Sequence, residues 1–322
     1  MKKERRDIMK LVVINKLSDQ WISDLQSSVP GAIVESYPSP KEALPYISDA
    51  DAIAMWGFQD VEPVLNAAPN VRWIHSLSDG VERLLSPSMI KRSIALTNSH
   101  GIHDRTVAEH TMALLLGLSR QIPQAVRQQD SKTWKRPKSF SIYKKTIAII
   151  GFGGIGRAIA QRAKSFETKI IAVKKHASEE LFADKICTTE KVNEVLPAVD
   201  VIIAALPATK DTEHFFNKER FSFMKDGAIF INIARASIVD EEALINALAE
   251  KKLAGAALDV FSKEPLPENH PLWSMKNVII TPHVASFTPD SWDRILYLLK
   301  DNFISFSQGL PLVNEIDKQK GY

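Results

Sequence analysis

The sequence predicts an α/β protein built on two doubly wound parallel sheets, and three observations carry that prediction. Short runs of apolar, β-branched residues alternate with longer mixed segments; the alternation stops near residue 98 and restarts near residue 146; and a glycine-rich loop stands between one run and a helical segment. Continuous apolar runs belong to parallel strands covered on both faces, whereas half-exposed strands alternate apolar with polar residues.

Taken in order, the first strands are expected at Leu11 to Asn15, Ala32 to Glu35, Ala52 to Trp56, Val71 to Leu77 and Ile94 to Thr97. A helical stretch from Asp104 to Leu118 follows. Six further strands are expected at Thr146 to Ile150, Lys169 to Val173, Val201 to Ala205, Ala228 to Ile233, Ala254 to Val260 and Val278 to Thr281. From about Asp290, apolar residues Ile295, Leu296, Leu298, Leu299, Phe303 and Phe306 fall near helical spacing. That pattern reads as an amphipathic helix with no sheet of its own, returning to the first domain. The expected boundaries are therefore residues 1–98 with 285–322 for one domain and 99–284 for the other, with a ligand cleft between them.

Composition narrows the function classes. A chain of 322 residues is too long for one ordinary core. Its 45% hydrophobic and 25% charged residues describe a globular protein. The 41 basic and 38 acidic residues are dispersed and leave a net charge of +3, which argues against nucleic acid or an anionic membrane as partner. Lys2, Lys3, Arg5 and Arg6 form the one basic cluster and read as a solvated tail. Cys187 is the single cysteine, so neither an internal disulfide nor a cysteine metal cluster is available, and a reducing compartment is expected. No apolar run is long enough to span a bilayer, and Leu11 to Ile14 is too short for a signal peptide. A cytoplasmic location, with no bound metal, is the expectation.

Gly151-Phe152-Gly153-Gly154-Ile155-Gly156 fits G-x-G-x-x-G, with a strand leading in and the helix Arg157 to Lys164 leading out. In that context the first glycine permits the tight turn, the second admits a pyrophosphate, and the third lets helix and strand pack. The helix N-terminus then faces the negative charge. Beyond the next strand, where an NAD site offers an acid to the adenosine ribose, stand Lys174 and Lys175. Lysines there attract a 2′-phosphate, so NADP is the preferred cofactor on this reading and NAD the second, unless the two are solvent-facing strand-end residues.

Three segments place polar residues at the C-terminal ends of apolar strands, where open α/β sheets bind ligands: Asn232 to Arg235, Asp259 to Pro265, and Thr281 to His283. Reduction of a ketone by hydride needs a proton donor, and histidine titrates in the right range. A glutamate on its other ring nitrogen would fix the tautomer, and an arginine would fork onto a carboxylate. Singly, Arg235 could pair with Asp240, Glu264 could cap a turn at Pro265, and His283 could be a buried, satisfied histidine; their joint placement after a nucleotide loop favours chemistry.

These motifs, with Ser76 to Val81, Asn98 to Gly101, Thr106-Val-Ala-Glu-His110, Leu206-Pro207, Asn232 to Asp240 and Asn277 to His283, make the chain resemble the D-isomer-specific 2-hydroxyacid dehydrogenases over nearly its whole length. The likeness is nearest to glyoxylate and hydroxypyruvate reductases. The resemblance implies a Rossmann cofactor domain inserted into a flavodoxin-like substrate domain, and NAD(P)H-dependent reduction of a small 2-keto acid to the D-2-hydroxy acid. It implies His283 as general acid, Glu264 as its partner and Arg235 as the substrate-binding arginine. It also implies backbone amides near Ser78, Asp79 and Gly80 for the substrate carboxylate, Asp259 for the nicotinamide amide, Leu206 and Pro207 beside the cofactor, and a homodimer. Trp134 is similar to a tryptophan that some relatives send into the partner's active site, with a packing role as the alternative.

Two departures stand out. Ala236 follows Arg235 where the family has glycine, adding a Cβ near the site, and Asp79 puts an acid in a loop meant for an anion, so its side chain should turn away. Glu264 argues against the formate dehydrogenases of the superfamily, which carry glutamine there. The rival reading is a catalytically weak, nucleotide-binding redox sensor on the same fold, which would need neither proton donor nor carboxylate clamp. A methyltransferase, which shares such glycine loops, is disfavoured by the second sheet and the late histidine.

Overall fold

Strand formation follows the apolar runs closely. In the computed structural model, which describes residues 8–321, the first sheet comprises Lys10–Val13 (β1), Ile33–Ser36 (β2), Ala52–Met55 (β3), Trp73–Ser76 (β4) and Ala95–Thr97 (β5). The basic cluster Lys2, Lys3, Arg5 and Arg6 lies outside the described residues. All pairings are parallel, in the order β2-β1-β3-β4-β5, the flavodoxin-like arrangement. Helices Asp19–Ser28 (α1), Pro40–Ala43 (α2), Glu62–Ala67 (α3) and Pro87–Lys91 (α4) connect the strands. Ser18, Ser39 and Ser86 cap α1, α2 and α4 by accepting backbone N–H groups, as short hydroxyl side chains do at helix starts.

Helices Asp104–Ser119 (α5) and Ile122–Asp130 (α6) lead into the second sheet. Its strands are Thr146–Ile150 (β6), Lys169–Lys174 (β7), Lys185–Thr188 (β8), Val201–Ala204 (β9), Ala228–Asn232 (β10), Leu253–Leu258 (β11) and Val278–Ile280 (β12), again all parallel. Helices Gly154–Lys164 (α7), Val192–Val195 (α8), Lys218–Phe223 (α9) and Glu241–Ala249 (α10) cover its faces. The order is β12-β11-β10-β9-β6-β7-β8, a Rossmann sheet with its crossover between β6 and β9. The expectation of six strands is corrected to seven. The strand missed is β8, Lys-Ile-Cys-Thr, an edge strand with one buried side chain, Cys187; one covered residue in four leaves no apolar run to read.

The final helix, Pro289–Gln308 (α11), returns to the first sheet. Its Ile295, Leu296, Leu299 and Phe303 are buried with Leu11, Val13 and Trp73, while Trp21 of α1 donates to Asp293 at 3.2 Å and meets Tyr297 edge-on. Trp56 is stacked between Phe58 and Trp292. The chain thus divides into two compact units, one ending at Ile102 and resuming at Thr288, the other His103–Phe287; the boundaries read from the sequence were 98/99 and 284/285. No helix among the described residues is long and apolar enough to cross a membrane.

Candidate active site

The glycine loop, Arg235, Glu264 and His283 are each placed beyond the C-terminal end of a strand in the second unit. After β6 the chain turns at Gly151, whose φ of 99° lies in the left-handed region; a Cβ there would collide with the Ala205 carbonyl oxygen. Glycine is therefore required both by the turn and by the adjoining Leu206 segment. At Gly153 a Cβ would meet nothing within 4 Å, so the mouth of α7 is open. Gly154 lies against the Asp104 carboxylate and Gly156 against the Gly151 carbonyl, while Ile155 packs on the core. Open space over an aligned helix N-terminus fits a pyrophosphate. Leu206 is buried, and the Pro207 carbonyl accepts from Thr212 Oγ1 at 2.7 Å.

Beyond β10, the Asn232 side chain ties the turn that carries Arg235. Its Nδ2 donates to the Arg235 carbonyl at 3.1 Å and its Oδ1 accepts from Ala234 N at 3.0 Å. Arg235 is half-buried and donates to the Ala234 carbonyl at 2.8 Å. Asp240 caps α10 through Ala243 N. Ala236 opens a short 3-10 turn, Ala236–Ile238, and is half-buried.

Beyond β11 and β12, Glu264 and His283 meet: His283 Nδ1 donates to Glu264 Oε2 at 2.8 Å. Glu264 Oε1 accepts from Phe261 N at 3.0 Å, so this carboxylate both caps its turn and holds the imidazole. The two readings of Glu264 are compatible, because they use different oxygens. The His283 side chain is 47% exposed, unlike a buried core histidine.

Under this pair lies Asp259, 1% exposed. Its Oδ1 accepts from Thr281 Oγ1 at 2.5 Å and Val284 N at 3.0 Å, and its Oδ2 from Ala285 N at 2.9 Å. His110 of α5 donates to Thr281 Oγ1 at 3.1 Å and lies 3.5 Å from Asp259 Oδ1. Burial pushes the Asp259 carboxyl up, but the hydrogen bonds from His110, Thr281, Ala285 and Val284 outweigh it and hold the carboxyl below its usual range. Asp259 thereby pins the segment that bears His283. Neither that task nor the part of His110 was read from the sequence, where the Val-Ala-Glu-His motif was the available signal.

At the end of β7, Lys174 donates to Glu180, with a further hydrogen bond to Ser178 Oγ at 2.8 Å. Lys175 is exposed and reaches Asp211 at 3.3 Å. Arg157, in the first turn of α7, forks onto the two Glu180 oxygens at 2.8 Å each. The sequence reading gave no role to Glu180 and named Arg157 only as the start of a helix.

In the first unit, the Ser76–Val81 loop is knitted by Ser76 and Ser78, whose hydroxyls donate to the Gly80 carbonyl at 3.0 and 3.1 Å. Ser78 N donates to Ser76 Oγ at 3.3 Å, and Gly57 N donates to Ser78 Oγ at 3.0 Å. The Asp79 carboxylate pairs with His100 Nδ1 at 2.9 Å, and the Asp79 carbonyl accepts from Asn98 Nδ2. Behind the loop runs a buried chain of hydroxyls and rings. Trp73 Nε1 donates to Thr97 Oγ1, which pairs with His75 Nδ1 at 2.7 Å; His75 Nε2 meets Ser99 Oγ, which donates to the Ser76 carbonyl. Burial pushes the His75 imidazole down to about 3, so it is neutral and acts as a fixed relay of hydrogen bonds.

Residues 112–285 match the family described as D-isomer specific 2-hydroxyacid dehydrogenase, NAD binding domain. The chain belongs to the D-isomer specific 2-hydroxyacid dehydrogenases. It is 36% identical over 281 residues to a glyoxylate reductase of Thermofilum pendens, covering 84% of this chain and 83% of that one. A solved D-isomer specific 2-hydroxyacid dehydrogenase family protein of Aeromonas salmonicida superposes with a TM-score of 0.87 at 32% identity, over 96% of this chain and 99% of the other. A D-isomer specific 2-hydroxyacid dehydrogenase of Xanthobacter autotrophicus, solved with NADPH and MES, gives 0.85 at 26% identity over 98% and 99%. This D-isomer specific 2-hydroxyacid dehydrogenase is thus an oxidoreductase, and the residues that match the family's NAD binding domain lie within its second unit.

Proposed function

We propose that the enzyme reduces a small 2-keto acid, with glyoxylate and hydroxypyruvate the first candidates, to the D-2-hydroxy acid using NAD(P)H, with His283 as proton donor. The observation that carries the reading is the His283–Glu264 pair at 2.8 Å on a segment pinned by buried Asp259. When bound, the nicotinamide supplies the hydride. The ketone oxygen gains negative charge as it is reduced, and His283 Nε2, the ring nitrogen not engaged by Glu264, delivers the proton there. Glu264 fixes the orientation of the ring, and Arg235 offers a planar, permanently charged fork to the substrate carboxylate. Backbone amides near Ser78, Asp79 and Gly80 are proposed for the same carboxylate; the pairing of the Asp79 side chain with His100 draws its charge aside. Gly151, Gly153, Gly154, Ile155 and Gly156 would cradle the pyrophosphate, with Leu206 and Pro207 beside the nucleotide and Lys174 and Lys175 near the adenosine ribose. The proposed carboxamide contact of Asp259 would fall to Oδ2, the oxygen facing Ala285 N.

The name of the Thermofilum pendens relative supports glyoxylate as the first substrate to try, and the NADPH of the Xanthobacter autotrophicus complex supports use of that cofactor. The test is oxidation of NADPH and NADH followed against a panel of 2-keto acids. Turnover of glyoxylate or hydroxypyruvate supports the reading; nucleotide binding with no turnover of any 2-keto acid overturns it in favour of the sensor.

A homodimer and a cytoplasmic setting belong to the same proposal. Helix α6 has no buried residue and exposes Ile122 and Val126, and Trp134 stands fully exposed just beyond it. Apolar surface of this kind marks an interaction face, and Trp134 is the residue proposed to reach the partner. Light scattering is expected to give twice the chain mass, and Trp134→Ala together with Val126→Glu to lower it; a monomer for the unaltered protein at working concentration removes the dimer.

A further inference from the structure

Two basic groups at the end of β7 and the start of α7 are already occupied by an internal acid. Arg157 belongs to the first turn of α7, one residue past the glycine loop, and Lys174 is the last residue of β7, the strand beside β6. Their charges converge on one carboxylate, Glu180, which the loop after β7 brings back over the strand end. Arg157 grips both Glu180 oxygens and Lys174 grips one of them. The Glu180 side chain is 6% exposed, against 51% for Arg157 and 18% for Lys174, so the acid is the enclosed member of the trio.

We propose that Glu180 is an internal stand-in for the 2′-phosphate of NADP(H), and that its displacement from Arg157 and Lys174 sets the choice between the two nicotinamide cofactors. The inference rests on the dinucleotide reading of the glycine loop. A planar guanidinium and an ammonium on one anion form the arrangement that recognises phosphate. Here the anion is supplied by the protein. The net charge of the trio is +1, where Lys174 and Arg157 alone would give +2. NADPH must break the Glu180 contacts to use either base, while NADH can bind and leave them intact. The preference for NADPH read from Lys174 and Lys175 alone is thereby narrowed, and Arg157 replaces Lys175 as the second phosphate ligand.

The contest is not relieved by acid. Its hydrogen bonds to Arg157, set against burial and joined by Lys174, hold the Glu180 carboxyl down to about 2. It is ionised at any pH at which an enzyme of this kind is assayed.

The test is calorimetric titration of the intact protein with NADPH, NADH, adenosine 2′,5′-bisphosphate and 5′-AMP, before and after Glu180→Gln. An amide keeps the shape and removes the charge. NADPH and the bisphosphate are expected to bind roughly tenfold to a hundredfold more tightly in the variant, as for one freed charged contact. NADH and 5′-AMP should move less than about threefold, since neither carries a 2′-phosphate that would compete for the two bases. Adding Arg157→Gln to Glu180→Gln should cancel the gain. Glu180→Asp, which keeps the charge but shortens the reach, serves if Glu180→Gln does not fold, and should show a smaller gain of the same sign. Unchanged NADPH binding overturns the inference. So does a shift in the ratio that comes only from weaker NADH binding, since that would make Glu180 a ribose ligand. Failure of the unaltered protein to bind any of the four probes would instead remove the dinucleotide reading itself.

Discussion

Replacing His283 by Ala is expected to lower kcat by about a hundredfold or more, the usual worth of a positioned general acid, while leaving the dissociation constant of NAD(P)H almost unmoved. On the proposed reading the imidazole acts on the substrate oxygen, and its position on the segment after β12 gives it no part in the glycine loop. Little stability should be lost, because the side chain is 47% exposed and its partner Glu264 is 39% exposed and keeps Phe261 N. His283 sits at φ 53°, a region Asn tolerates better than Ala, so His283→Asn is the companion variant that separates backbone effects from loss of the proposed proton donor. Single-turnover reduction with either variant at a rate near that of the unaltered enzyme would eliminate His283 as the acid.

Replacing Asp259 by Ala is expected to damage stability and turnover together, a pattern His283→Ala should not show. Thr281 Oγ1, Val284 N and Ala285 N would lose their acceptor in a buried to part-buried setting, and His110 its neighbouring charge. A buried group left without a partner costs about 1–3 kcal/mol, so several at once should sum to roughly 3–5 kcal/mol after local relaxation. The released segment also carries His283, and kcat should fall by about tenfold or more even in protein that is still folded, since small misplacements cost that much. Asp259→Asn, which retains one acceptor oxygen, should recover part of the melting temperature and part of kcat. A melting temperature unchanged in Asp259→Ala would show that the pinning is dispensable.

Residue types whose placement is local were readable in advance. Arg235, Glu264 and His283 follow apolar runs, and a polar residue at the end of a buried strand has few purposes besides the rim of the sheet. The glycine loop was readable because its first position demands a backbone that only glycine adopts freely. What escaped was set by long-range return of the chain. Glu180 lies six residues past Lys174 in an irregular segment, and nothing in Lys-Lys-His-Ala-Ser-Glu-Glu says that the second glutamate, and not the first, folds back between an arginine and a lysine. His110 was quoted within its motif, but its reach to Thr281 depends on α5 crossing the sheet beside β11. Strand β8 is held by edge pairing with β7 and has too little apolar content to announce itself.

The neutral imidazole of His75 limits the conditions this protein tolerates. It sits fully enclosed at about 3, whereas the same ring in the unfolded chain takes up a proton near 6.5. A depressed folded value means that its share of stability is complete above 6.5 and is surrendered as the pH falls toward 3, by about 1.4 kcal/mol per pH unit. Because Ser99 and Ser76 hang from that ring, acid weakens the first unit at the very strand that leads into the Ser78 loop. Mildly acidic buffers, as used in many purification and crystallisation screens, therefore erode the unit proposed to receive the substrate carboxylate; urea midpoints that stayed level between pH 7 and pH 5 would show the loss to be compensated elsewhere.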